Sequence, residues 1–140
     1  MHNYVTALQE FHKAVFIKTG MWPADIGQTF VPDNETAKLR DYLHIEEVGE
    51  LTDVLLGYDE DLSKAHLLKE ICDSLYVLFG TAVVYFDPEV IAEGFKRVHE
   101  NNMEKITKGT IGENGKLLKP KDHKKVSLAD LTGELINNNV

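Results

Sequence analysis

The sequence predicts an all-α fold: a bundle of four to five helices with a short C-terminal hairpin or arm. Apolar residues recur at the 3.6-residue period of a helix through four long segments. Four prolines in 140 residues, with few clusters of turn residues, argue against an all-β fold. A hydrophobic content of 43% is enough for one compact core. We therefore expect a single domain over residues 1–140, with a core over about 4–106 and a basic arm over about 107–140.

The first two helices are predicted from their ends as well as from their periodicity. The first is expected over about 4–19, and a connecting segment with several glycines and prolines follows it over 20–33. The second is expected over 35–56, with Asp33 or Asn34 as its N-cap. The glycine that follows it suits the C-terminal cap.

The third helix, expected over about 63–86, differs from the others in its apolar character. Its second half, Ile71 to Phe86, is apolar nearly all round. A helix without a polar face is buried on every side. We therefore expect it either at the centre of the bundle or packed across a dimer interface.

The fourth helix and the elements after it are predicted from local signals. Asp87 as N-cap and a proline in the first turn favour a helix over about 88–105. Asn114-Gly115 lies between apolar residues and favours a type I′ hairpin. A short terminal helix is expected over about 127–137.

Composition argues against several classes of protein. The net charge of −8 is unlike that of a nucleic-acid-binding protein, which is usually basic. The longest apolar run, 75–86, has 12 residues, whereas a membrane span needs ~20. The N-terminus lacks the features of a signal peptide, and the single cysteine permits no intrachain disulfide. We therefore expect a cytoplasmic protein with neither a membrane nor a nucleic acid as partner.

Charge is unevenly distributed along the chain. Residues 41–63 contain eight acidic residues and no lysine or arginine, whereas residues 105–125 contain seven of the fifteen basic residues. An acidic block that binds cations and a basic block that binds anions would together suit a metal-bound polyphosphate. Two solvated surfaces that attract each other would give the same pattern.

Two groups of carboxylates form the strongest candidate site. Glu46, Glu47 and Glu50 lie on the second helix in the pattern Glu-Glu-x-x-Glu. Like charges at this spacing each destabilise an isolated helix by about 0.2–0.5 kcal/mol. Glu70 and Asp73 lie on one face of the third helix, where it becomes apolar. The short connection predicts antiparallel packing of the two helices, which brings the two groups face to face.

A metal site explains this clustering better than a solvated acidic face does. An unpaired charge is costly to bury, and the nearest basic residue, Lys69, points ~100° away from Glu70 around the helix. Carboxylate ligands select hard cations, so we expect Mg²⁺, with Mn²⁺ as the alternative. An exposed acidic face without a metal is the competing interpretation.

The same residues resemble the signature of a known superfamily. Glu-Glu-x-x-Glu followed by Glu-x-x-Asp is similar to the motif of the all-α nucleoside triphosphate pyrophosphohydrolases, which include MazG proteins, dimeric dUTPases and phosphoribosyl-ATP pyrophosphohydrolases. The resemblance covers about residues 11–119. It includes Asp73-x-x-Tyr76-Val77, Val98-His99-x-x-Asn102-Met103-x-Lys105 and Asn114-Gly115-Lys116. These patterns are most similar to a MazG-like branch with dUTPase-type activity.

The resemblance implies an enzyme, a cofactor and an assembly. It implies hydrolysis of a nucleoside triphosphate to a monophosphate and pyrophosphate, with dUTP as the first candidate, by a homodimer or a dimer of dimers. The implied Mg²⁺ ligands are Glu46, Glu50, Glu70 and Asp73. Glu47 is implied to be a further ligand or the catalytic group that orients the attacking water. Asn102 and Lys105 are implied to bind substrate, the first at the base or ribose and the second at the phosphates.

Two other functions stay open on the sequence. Phosphoribosyl-ATP hydrolysis uses a related motif, although the lysine-rich segment after Lys105 is not needed for it. A non-catalytic helical regulator could bind a divalent ion or a protein partner through the acidic face. A ferritin-like di-iron site is disfavoured, because neither Glu50 nor Glu70 is followed three residues later by a histidine.

Overall fold

The computed structural model describes residues 2–20 and 30–133, and these residues form four helices. They are α1 (His2–Thr19), α2 (Glu35–Leu56), α3 (Lys64–Tyr85) and α4 (Pro88–Lys108). Two short strands follow, β1 (Thr110–Ile111) and β2 (Leu117–Leu118), and they pair antiparallel. The predicted all-α class is confirmed. No single helix in these ranges is long and apolar enough to cross a membrane; only α3 and α4 taken as a bent pair have the length and composition.

The chain divides into two compact units, Met1–Pro88 and Glu89–Val140. The first unit contains α1, α2 and α3. The second contains the rest of α4, the two strands and the segment that follows them. Each unit has its own packing.

The ends of α2 fall where the sequence predicts them, and its caps explain why. Asn34, the second of the two N-cap candidates, accepts a hydrogen bond on Oδ1 from the Ala37 backbone N–H at 2.8 Å. At the other end Gly57 adopts the left-handed conformation, with φ of 80°. The Tyr58 N–H then donates to the Asp53 carbonyl at 2.8 Å, which satisfies a carbonyl of the last turn.

In the first unit α2 and α3 pack antiparallel. Arg40, early in α2, donates from Nε to Thr81 Oγ1, late in α3, at 3.0 Å. Two turns further along α2, the Glu47 carbonyl accepts a hydrogen bond from Ser74 Oγ at 3.4 Å. The later residue of α2, Glu47, contacts the earlier residue of α3, Ser74, so the two helices run in opposite directions. The short connection over 57–63 leads directly to this arrangement.

Helix α1 packs against α3 and completes the core of the first unit. Tyr4 stacks on Phe79 with ring centroids 6.2 Å apart. Phe11 meets Tyr76 edge to face with centroids 5.5 Å apart. The buried apolar side chains of this unit are Val5, Leu8, Val54, Val83 and Val84.

The prediction that the second half of α3 is buried on every side is wrong for the single chain. Ile71, Leu75 and Leu78 expose 38%, 43% and 53% of their surface, although Val83 and Val84 are buried. The helices α1 and α2 cover only part of the circumference of α3. An apolar face of α3 is therefore exposed.

In the second unit the hairpin is present, but the predicted turn type is wrong. The strands pair Thr110 with Leu118 and are joined by a loop over 112–116. A type I′ turn needs positive φ at both central residues. Gly115 has a φ of 78°, whereas Asn114 is not in the positive region. Asn114 instead accepts a hydrogen bond on Oδ1 from the Lys116 N–H at 3.2 Å, which favours the longer loop.

The segment after the hairpin is held against α4 by side-chain contacts. Arg97 on α4 donates to both carboxylate oxygens of Asp130, at 2.8 and 3.0 Å. Asn101 donates from Nδ2 to the Lys124 carbonyl at 2.9 Å. Residues 129–133 form turns where a terminal helix is predicted, and the remainder of that prediction lies outside the described residues.

Candidate metal centre

Three acidic side chains of the first unit converge on one point between α2 and α3. They are Glu47 on α2 and Glu70 and Asp73 on α3, called the acidic trio below. One carboxylate oxygen from each lies within 4.8 Å of the other two. This separation is short enough for a single cation to contact all three.

The antiparallel packing of α2 and α3 produces the acidic trio. Glu70 and Asp73 are three residues apart on α3, so both project from the same face. Glu47 is brought opposite them by the helix register, in which its carbonyl is hydrogen-bonded to Ser74. The two sequence motifs therefore meet as predicted from their spacing and from the short connection.

Two oxygen atoms of the acidic trio are buried without a hydrogen-bond donor. Glu70 is 3% exposed, and its Oε2 has no partner within residues 2–20 and 30–133. The same is true of Oε2 of the half-buried Glu47. A buried acceptor left unsatisfied costs about 1–3 kcal/mol, and more when it is charged. The three carboxylates of the acidic trio offer only oxygen ligands and negative charge, and two of their oxygens have no hydrogen-bond donor among the described residues. This chemistry fits a hard divalent cation such as Mg²⁺ or Mn²⁺.

Glu46 and Glu50 lie beside the acidic trio but outside it. Both are exposed on α2, and neither is among the three converging carboxylates. Partial burial, followed by the charge of Glu50 and then that of Asp73, raises the pKa of Glu47 above its usual value; Glu46 adds to the effect. The structure thus brings together three of the five predicted ligands, and the other two act on them through their charge.

The expectation that these carboxylates have no basic partner is wrong. Lys69 Nζ lies 3.1 Å from Glu70 Oε1 and 2.8 Å from Asp73 Oδ2. These contacts raise the pKa of Lys69, the larger contribution coming from Asp73. The long lysine side chain bends along its own helix and reaches both carboxylates despite the ~100° offset from Glu70. Its side chain is 61% exposed, so it can move into solvent if a cation takes its place.

A histidine also contacts the buried carboxylate of the trio. His66 Nε2 lies 3.7 Å from Glu70 Oε1 and 3.2 Å from Asp59 Oδ2. The carboxyl group of Asp59 is also hydrogen-bonded to the Asp61 N–H at 2.8 Å; this bond and then the one to His66 lower the pKa of Asp59. The carboxylate motifs alone do not predict that His66 and Lys69 are neighbours of the site. Each stands four residues before the acid that it contacts, which is the signal that could have found them.

The predicted substrate contacts Asn102 and Lys105 belong to the second unit. They lie one turn apart on α4, and Lys105 Nζ donates a hydrogen bond to Asn102 Oδ1 at 2.9 Å. Asn102 is exposed and Lys105 is half-buried. Their role in substrate binding stays a prediction.

Comparison with models of known protein families gives no match for this chain, and comparison with curated proteins gives no similar sequence. The resemblance to the all-α pyrophosphohydrolases therefore depends on the spacing of the carboxylate motifs and the shorter patterns after them. The geometry of the acidic trio adds a structural observation about the same motifs.

Proposed function

We propose that this protein is a divalent-cation-dependent nucleoside triphosphate pyrophosphohydrolase. The observation that carries the proposal is the convergence of Glu47, Glu70 and Asp73, with two buried oxygen atoms that have no donor among the described residues. The carboxylate motifs that supply the trio are also the residues on which the superfamily resemblance depends. Mg²⁺ is the proposed cation, Mn²⁺ its alternative, and dUTP the first candidate substrate.

In this proposal Glu70 and Asp73 hold the cation from α3, and Glu47 faces them from α2. Glu46 and Glu50 add negative charge at the exposed side of the trio, where they can act as further ligands. When bound, the cation would neutralise charge on the phosphate oxygens and favour attack by water. Glu47 faces the proposed cation position from the opposite helix, so its carboxylate can also accept a proton from the attacking water.

The proposed reaction breaks one phosphoanhydride bond. The oxygen of a water molecule bonds to the α-phosphorus, and the bond from that phosphorus to the bridging oxygen breaks. Pyrophosphate leaves with the electron pair, and the nucleoside monophosphate keeps the water oxygen. The water proton passes to a carboxylate oxygen of Glu47 and then to solvent.

The test is release of pyrophosphate from a panel of deoxynucleoside triphosphates in the presence of Mg²⁺. We expect Asp73→Asn to lower turnover on the order of 100-fold or more, because a bound metal supplies several kcal/mol of transition-state stabilisation. Mg²⁺ or Mn²⁺ should also raise the melting temperature of the wild type and leave that of Asp73→Asn unchanged.

Asp53→Asn is the matched control, because Asp53 is an exposed acid on α2 outside the trio. It should retain both turnover and metal-induced stabilisation. Full activity of the wild type in excess chelator, or of Asp73→Asn in Mg²⁺, would refute the metal assignment. Release of inorganic phosphate and a diphosphate would refute the bond assignment, and equal rates on all substrates would remove the preference for dUTP.

A further inference from the structure

A buried arginine, Arg40, lies between α2 and α3, separate from the acidic trio. Arg40 is 8% exposed, yet no carboxylate lies within 4 Å of its guanidinium in the part of the chain that the structure describes. An arginine side chain stays charged at any ordinary pH. A buried charge without a counter-ion is costly, so a group of this kind calls for an anion.

The guanidinium is held in place by neutral groups on α3. Nε donates to Thr81 Oγ1 at 3.0 Å, and Nη2 donates to the Val77 carbonyl at 2.8 Å. Thr81 Oγ1 in turn donates to the same carbonyl at 3.2 Å and lies 2.7 Å from His44 Nε2. The Thr81 hydroxyl can donate one hydrogen bond and accept two. If His44 carries its proton on Nε2, the hydroxyl accepts from Arg40 and from His44 and donates to the Val77 carbonyl, so all three positions are occupied. These bonds orient the guanidinium without neutralising it.

The ionisable side chains of His12 and His44 lie near Arg40, and neither can act as its counter-ion. Burial, and then the charge of Arg40, lower the pKa of His12 and of His44. His44 is already hydrogen-bonded to Thr81 Oγ1. Arg40 is left as a positively charged group in a polar surrounding, with Nη1 free of any hydrogen bond to the described residues.

The position of Arg40 relates it to the acidic trio. Its Nη2 contact, Val77, is one helical turn from Asp73, ~6 Å along the axis of α3. On α2, His44 lies between Arg40 and Glu47 and is three residues from Glu47, so it projects from the same face. Arg40 and the acidic trio therefore lie along the same pair of helices, with Arg40 and Glu47 ~10 Å apart along the axis of α2.

We propose that Arg40 is an oxyanion-binding subsite that receives an outer phosphate of the substrate, with His44 and Thr81 as its positioning residues. The proposal rests on the proposed function for the identity of the anion, a phosphoryl group carried by the substrate. Arginine suits this role because its planar group presents paired N–H donors to phosphate oxygens.

Gly80 provides a way to displace the guanidinium without changing its charge. A Cβ atom added at Gly80 would lie 2.6 Å from Arg40 Nη2, so the flexible arginine tip must move. Alanine also favours the helix more than glycine does, so Gly80→Ala should fold. Gly49→Ala is the matched control, because a Cβ there meets nothing within 4 Å.

The first experiment measures binding of inorganic phosphate by titration calorimetry in excess chelator. We expect saturable binding by the wild type and by Gly49→Ala, and a dissociation constant about 10-fold or more higher for Gly80→Ala, as expected when charge-assisted hydrogen bonds are lost. Arg40→Gln, if its circular dichroism is that of the wild type, should show no binding. Absence of binding by the wild type, or equal affinity in Gly80→Ala, would overturn the subsite.

The second experiment identifies the source of the anion. With substrate and Mg²⁺, inorganic phosphate should raise the KM of the wild type without lowering kcat, and Gly80→Ala should have a raised KM that phosphate changes little. A fall in kcat at constant KM would overturn the assignment to the phosphate chain of the substrate. Phosphate binding that depends on Arg40, in a protein that releases no pyrophosphate, would refute the proposed function and support an anion subsite of its own.

Discussion

Burial of ionisable groups is the main feature of the first unit at the scale of single residues. Glu70, His12 and Arg40 are 3%, 5% and 8% exposed. Glu70 is compensated by Lys69, while Arg40 is held by hydrogen bonds to neutral groups, with a further electrostatic contribution from Tyr85. Such groups are expensive to keep in a small domain, and they mark the two places where we propose ligands.

His12 makes stability depend on pH in a direction that its environment determines. Burial and the charge of Arg40 lower its pKa in the folded chain below the ordinary value of 6.5. The unfolded chain therefore binds a proton first as the pH falls. The free energy of unfolding should decrease as the pH drops below about 7 and level off once the folded chain is also protonated.

His12→Gln should flatten this part of the stability curve, measured by urea denaturation at a series of pH values from 7.5 to 5. His99→Gln is the control, because His99 is exposed on α4. If His12→Gln keeps the full slope of the wild type, or if His99→Gln loses as much of it, His12 is not the source of the pH dependence.

At the scale of elements, the ends of α2 and the opposing faces of α2 and α3 were predicted correctly, whereas the turn type at Asn114-Gly115 and the contacts that depend on side-chain packing were not. The ends of α2 follow from Asn34 and Gly57, whose cap geometry needs only neighbouring residues. The two carboxylate motifs met because helix periodicity and a short connection determine which faces of α2 and α3 oppose each other. Helix periodicity does not specify how side chains pack between helices. It therefore does not predict the contact of Lys69 with Glu70, the exposed apolar face of α3 or the burial of the Arg40 guanidinium.

In the second unit, the pair between Arg97 and Asp130 should hold the C-terminal segment to α4. Asp130→Asn removes the charge that both guanidinium contacts use. We expect trypsin to cleave after Lys124 and Lys125 several-fold faster, with little change in the melting temperature, because exposed ion pairs contribute little to global stability. Glu104→Gln, which breaks the exposed pair with Lys108, is the control and should leave the cleavage rate unchanged. An unchanged rate in Asp130→Asn would show that other contacts hold the segment.

At the scale of the whole molecule, the exposed apolar face of α3 favours self-association. Tyr4, Cys72, Leu75 and Tyr76 line an apolar groove of about 500 Å³ between α1 and α3. An exposed apolar patch of this kind usually marks an interface. We therefore expect the chain, of 15.8 kDa, to form at least a homodimer.

Sedimentation at micromolar concentration should give a species of at least twice the chain mass. Leu75→Glu should shift it towards the monomer, since a charge would be buried in the interface. Ile17→Glu on α1, at a side chain that is 84% exposed and outside the groove, should leave the assembly intact. A wild type that sediments as a monomer and is active as such would reject the homodimer.

The antiparallel pairing of α2 and α3 has a consequence for how the chain acquires its candidate site. All members of the acidic trio lie between residues 47 and 73, and the loop that joins their helices is short. Closing such a loop costs little entropy, and contacts between neighbours in sequence form early in folding. A chain still being synthesised therefore has the whole cluster once α3 has emerged, before α4 exists. A cation captured at that stage would act as a folding ligand, stabilising the helical hairpin on which the later parts of the chain assemble.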